Sequence, residues 1–185
     1  MESAFIGLFG VLIGSVIVIA KEWWFDYRKN KKDKEYLCIK VSSMFDKFIH
    51  NSYDIVYDEG KDDSNGCRTQ QVSLLMFDPE LENVNWKSLP VDLMYEVLDF
   101  PNAVENANKK INGVIEYESF PPEYKEIFDE RQYQYALLGV KAFEIVSKLR
   151  REANLPERIY EWDLIGNLRN KISEIEILKT DKDEG

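Results

Sequence analysis

The chain of 185 residues has one histidine, His50, and two cysteines, Cys38 and Cys67. Two cysteines give neither a disulfide framework nor a metal-ligand spacing, and both read as free thiols of a reducing compartment. A single histidine without a recognisable partner leaves no zinc ligand set and no serine or cysteine triad. Neither GxxxxGKS/T nor GxGxxG occurs, so no glycine-rich phosphate cradle is present. No cofactor is expected. Basic charge is also short. Lysine and arginine number 24 against 34 aspartates and glutamates, a net charge of -10. A chain of that sign is repelled by nucleic acid. Disorder is disfavoured by an aromatic content of 13%.

What is present begins at the N-terminus. Residues Ser3 to Ala20 carry no charge and include a dense run of Leu, Ile, Val and Phe. As a helix the run spans roughly 27 Å, close to a thin hydrocarbon core. Trp23, Trp24, Phe25 and Tyr27 follow where an interfacial aromatic belt belongs. A cleaved signal peptide is the rival reading, but the start lacks a positive region and the run ends in Ala-Lys-Glu-Trp-Trp. Lysine and arginine are absent before the run, whereas Lys21, Arg28, Lys29, Lys31, Lys32 and Lys34 follow it. The positive side stays inside, so the expected topology is single-pass in a cytoplasmic membrane, N-terminus out and domain in. The expected organisation is an anchor over 1-20, a basic collar over 21-34, a helical cytoplasmic domain over 35-179 and a loose tail over 180-185. The collar has a net charge of +3 and residues 35-185 a net of -12. Anchor and collar therefore predict membrane lipids as a partner.

Within the anchor, Ser3, Gly7, Gly10 and Gly14 share one helix face. Small residues let two backbones approach in lipid, where apolar side chains gain little by associating. The seam predicts pairing with itself or with another membrane protein. No proline or glycine lies between Ala20 and Gly60. Leu37, Val41, Met44, Phe45, Phe48, Ile49, Ile55 and Val56 recur at helical spacing. Anchor and first domain helix are thus expected to form one rod.

The rest of the chain predicts a small all-α bundle of four or five helices. Residues 58-71 read as a polar loop. An EF-hand alignment on Gly66 fails, because Lys61 and Val72 occupy its first and last ligand positions. An extended segment is expected near Val72-Phe77. A short helix is expected at Val91-Asp99, with Pro101 opening another to about Glu118. A long helix should run from Pro122 to Ala153 and a last one from Asp163 to Leu178. Pro121-Pro122-Glu123-Tyr124 matches the PPxY ligand pattern, but the prolines more simply open a helix. Glu126 and Glu130 share a helix face near Arg131 and Tyr133, a candidate surface for an unknown cytoplasmic partner. A metal or acid/base pair at Glu126 and Glu130 is the chemical alternative to a solvated face favoured by the helix dipole.

Asn85-Trp86-Lys87, Leu93-Met94-Tyr95-Glu96, Phe100-Pro101-Asn102 and Glu130-Arg131-Gln132-Tyr133-Gln134-Tyr135 carry a resemblance. With the N-terminal run, the chain resembles a group of bacterial single-pass membrane proteins to which no activity is attached. The resemblance implies a bacterial inner membrane and carries over no catalytic residue. Three functions remain in competition: a tethered interaction protein, a membrane effector or sensor in stress or phage defence, and an enzyme of unfamiliar type.

Overall fold

The computed structural model describes residues 2-79, 81, 84-117, 124-160 and 162-183, and of residues 2-13, 117, 182 and 183 the backbone only. Four α-helices dominate it: α1 Glu2–Val56, α2 Val91–Tyr117, α3 Lys125–Glu152 and α4 Leu164–Asp183. Between α1 and α2 lie two short strands, β1 Lys61–Asp62 and β2 Arg68–Thr69, and a 3-10 turn at Trp86–Ser88. The fold class is all-α, as the periodicity predicts.

The central element is α3, which packs against α1, α2 and α4. Its stripe Ile127, Phe128, Tyr135, Leu138, Ala142, Ile145, Val146 and Leu149 is buried. Spacing by three and four residues places these side chains on one face, so burying them fixes the helix between its neighbours. From α1, Leu37, Val41, Phe45, Phe48, Ile49, Ile55 and Val56 complete the same core. Phe45, Phe48 and Phe100 meet around Phe77, a loop residue whose ring lies 4.5, 5.5 and 5.1 Å from theirs. The Phe48 and Phe100 rings meet Phe77 edge to face, a geometry that adds about 0.5–1.5 kcal/mol per pair beyond burial. The loop that follows β2 is therefore pinned into the core.

Residues 14-32 of α1 are exposed throughout, and burial on this helix begins at Leu37. The helix is 55 residues long, roughly 80 Å at 1.5 Å per residue. Residues 14-32 contribute no side chain to the buried core. Among the described residues no helix is long and apolar enough to cross a membrane. The run proposed as an anchor falls largely outside those residues, since the side chains of 3-13 are not among them.

Several boundaries differ from the expected ones. Pro101 does not open a helix; it lies inside α2. It lacks the N–H that would bond the Val97 carbonyl, a cost of about 3 kcal/mol in a helix interior. The continuous stripe Leu93, Val97, Phe100, Val104, Ala107 and Ile111, all buried, offsets that cost. The polar loop carries an antiparallel pair that the sequence does not announce, Lys61↔Thr69 and Asp62↔Arg68. Its turn is built by Asp63, whose Oδ1 accepts from the N–H groups of Asn65 and Cys67 at 2.8 and 2.9 Å. Gly66, at φ 76, supplies the left-handed residue of the turn. Asp63 is thus a turn former. Helix α4 runs on to Asp183, beyond the predicted end at Leu178. The start expected for α3 at Pro122, and the PPxY prolines, lie outside the described residues.

Candidate functional site

Among the described residues, polar or exposed groups come together on the free part of α1, at the junction where α1 enters the bundle, on the α3–α4 face and in a buried network around Arg131.

On the free part of α1, Trp23, Trp24, Phe25 and Tyr27 are 69%, 51%, 59% and 58% exposed. Consecutive residues of a helix point in different directions, so these rings form a collar rather than a stripe. The basic side chains fold back onto them. Arg28 lies 5.0 Å from the Trp24 ring centre and Lys21 5.8 Å from that of Phe25. The rings of Trp23 and Tyr27 stack at 6.2 Å. Lys29 and Lys32 are exposed, and Lys31 sits 3.8 Å from Glu35. Of the packing seam, Ser3, Gly7 and Gly10 lie outside the residues with described side chains. Gly14 is exposed, and a Cβ added there meets nothing within 4 Å. Its face is open in the single chain.

At the junction, the face of α1 that carries Leu37, Cys38 and Val41 into the core continues above it as Tyr27, Asn30, Lys31 and Lys34. This upper part lines a cavity of about 610 Å³. The turn residues Asn85, Lys87 and Ser88 and the α3 end at Glu152 and Asn154 close its other sides. Asn154 ends α3 in the left-handed conformation, φ 51, ahead of Pro156. Lys34 bonds Glu152 across the cavity at 3.1 Å. Cys38 lies fully buried just below. Burial pushes its thiol up to about 11, partly offset by the nearby Lys34 ammonium.

On the α3–α4 face, Glu130 accepts from Gln134 Nε2 at 2.7 Å and from Lys179 Nζ of α4 at 3.0 Å. Tyr133 donates its hydroxyl to Glu176 at 3.0 Å, and Lys179 lies 4.3 Å from the Tyr133 ring centre. Tyr133 is therefore half-covered by α4, and the expected partner surface is in large part a joint between two helices. Glu126 joins Asp129 and Glu130 at a shallow cavity of about 210 Å³ that also meets Ile175 and Lys179. No three acidic, histidine or cysteine side chains are placed to hold a metal among the described residues.

Arg131 is not on that surface at all. Its side chain is 1% exposed, and Nη2 lies 3.5 Å from Asp58 Oδ2 and donates to the Val72 carbonyl at 2.6 Å. Asp58 also accepts from the N–H groups of Gly60, Gln71 and Val72 at 2.9, 2.9 and 3.0 Å. Burial lowers the Arg131 pKa, and the Asp58 carboxylate pulls it back up. One turn on, the Tyr135 hydroxyl accepts from the Leu75 N–H at 2.6 Å and donates to Asn108 Oδ1 at 2.8 Å. Asn108 returns to the Leu75 carbonyl at 2.9 Å. This network ties the loop of residues 58-75 to α2 and α3, and the sequence reading missed it. A signal was available, because Arg131 occupies a position of the apolar stripe between Phe128 and Tyr135. An arginine there needs a buried acid.

His50 directs Nδ1 to the Asp46 carbonyl at 2.8 Å and meets the edge of Tyr160 at 5.5 Å. That is a packed helix histidine whose ring hydrogen-bonds its own helix. No protein family, curated protein or solved structure matches the chain.

Proposed function

We propose that the protein is a membrane-tethered interaction protein: the free half of α1 stands in a bilayer and presents the acidic bundle to cytoplasmic partners. The observation that carries this reading is the unbroken α1. Its first half is apolar and then aromatic and basic, and residues 14-32 are exposed, while its second half is the core of the bundle. Exposed Val16, Ile17, Val18 and Ile19 on an unpartnered helix need a cover. A bilayer supplies one on every side of the helix at once, and the aromatic and basic residues suit its interface. The open face at Gly14, continued by Ser3, Gly7 and Gly10 in sequence, suits a second helix in the same membrane.

The test is chemical crosslinking in native membranes, comparing wild type with a Gly7, Gly10, Gly14→Leu triple variant. The expected result is a ladder at multiples of the 21.7 kDa chain, lost in the variant while the bundle stays folded. A single band at another mass that persists in the variant replaces self-association by pairing outside the seam. An unchanged ladder in the variant removes the seam.

A second reading, a membrane effector or sensor, is favoured by the same continuity. A rigid rod shared by anchor and core transmits rotation or tilt from one to the other. It predicts a change in membrane potential on overexpression, and an unchanged potential removes it.

A further inference from the structure

The junction cavity lies where a bilayer surface would meet the bundle, and its chemistry is specific. Its lining holds three ammonium groups and two carboxylates. Lys31 faces Glu35 at 3.8 Å and Lys34 faces Glu152 at 3.1 Å. Lys87 has no acidic partner within ion-pair distance among the described residues, and the described lining sums to one surplus positive charge. Around it stand the neutral hydrogen-bonding groups of Asn30, Asn85 and Asn154 and the hydroxyls of Ser88 and Tyr27. The Ser88 hydroxyl donates to the Asn85 carbonyl at 2.7 Å and keeps its acceptor pairs for a ligand. One surplus charge matches a phosphodiester, which carries one negative charge. A dianionic monoester or a polyphosphate would leave negative charge unmatched beside two glutamates. The amides and hydroxyls suit a head group rich in hydroxyls. At about 610 Å³ the cavity lies within the usual range for small-molecule sites.

We infer that this cavity holds the head group of one anionic phospholipid, a phosphodiester bearing a polyol, in the leaflet through which α1 passes. The inference rests on the reading of α1 as a membrane tether. Tyr27 joins the two: it is the last ring of the aromatic collar, stacked on Trp23, and it forms the rim of the cavity. Lys34, at the far side, lies roughly 10 Å further along the helix, just past the head-group layer. Acyl chains attached to a head group in the cavity would run up α1 past Trp23 toward Val16, both exposed.

The same phosphodiester chemistry is offered by the free, deacylated head group, and two arms separate the sources. In the first, the full chain is released from detergent micelles containing equal mole fractions of phosphatidylglycerol and phosphatidylcholine, and retained lipid is counted by native mass spectrometry. One phosphatidylglycerol per chain is expected. Lys87→Gln should lower its retention about tenfold, as expected for loss of a charge-assisted bond. Lys40→Gln, which removes the same charge from α1 outside the cavity, should keep the lipid. Equal retention of both lipids, or equal loss in the two variants, overturns the inference. In the second arm, vesicle flotation is read beside phosphorus NMR line broadening of glycerophosphoglycerol in solution. Flotation without selective lipid retention leaves the tether standing and removes the site. Lys87-dependent broadening without flotation keeps the site, with a soluble phosphodiester as its ligand, and removes the tether. Neither signal removes both.

Discussion

Arg131 and Asp58 hold the least forgiving contact in the bundle. The two side chains are 1% and 3% exposed, and neither charge has water as an alternative partner. Arg131→Leu keeps much of the bulk and leaves the buried Asp58 carboxylate without a counter-charge, held by backbone N–H groups alone, so it should destabilise the fold by about 3 kcal/mol. Denaturant unfolding of the full chain checks this, and hydrogen exchange should show residues 58-75 losing protection first. Cys38 gives a pH signature. Its thiol stays protonated in the fold up to about 11, against an ordinary value of 9.0. The folded state therefore holds a proton that the unfolded state releases between those values. The stability this contributes is complete below pH 9 and is lost as pH rises through 11. Cys38→Ala should flatten that part of the stability profile. At pH 8, a thiol-alkylating reagent should modify the half-buried Cys67 well before Cys38.

At the scale of elements, α1 was legible because its pattern is strong: no helix breaker between Ala20 and Gly60, then an apolar stripe of long period. The cores of α3 and α4 were legible for the same reason. Two elements were not. At Pro101 a local stop signal competes with the stripe from Leu93 to Ile111, and packing wins, because each buried side chain outweighs part of a missing hydrogen bond. In residues 58-79 the sequence has no period to read. The order there comes from single contacts, namely Asp58 on three backbone N–H groups, Tyr135 on Leu75 and Phe77 among the rings. The Tyr135–Leu75 contact joins residues 60 positions apart, which no local window detects. Of the site, the exposed collar was legible from composition. The junction cavity was not, since it needs the turn at Asn85-Ser88 brought beside α1. The rod itself is testable. Replacing Lys21 and Glu22 by Pro and Gly breaks α1 among exposed residues outside the junction cavity. The bundle should keep its unfolding midpoint while amide protection is interrupted at the break. A midpoint lowered by more than about 1 kcal/mol equivalent would mean that the free half of α1 contributes to the fold.

For the whole molecule, charge and exposure divide the chain in the same place. The collar over residues 21-34 has a net charge of +3 and all that follows a net of -12. On the proposed tether, this division would push the bundle away from an anionic surface and draw the collar toward it. A net charge of that sign disfavours nucleic acid as a partner of the bundle. The central claim, that the first half of α1 is embedded in lipid, is tested most directly by tryptophan quenching in vesicles of brominated phospholipid. The four tryptophans fall into two groups, Trp23 and Trp24 on the free rod and Trp86 and Trp162 on the bundle. The account predicts strong quenching in wild type and its loss in a Trp23→Phe, Trp24→Phe variant that still binds the vesicles. Emission unaffected by bromine in wild type, or quenching that persists in the variant, would contradict it.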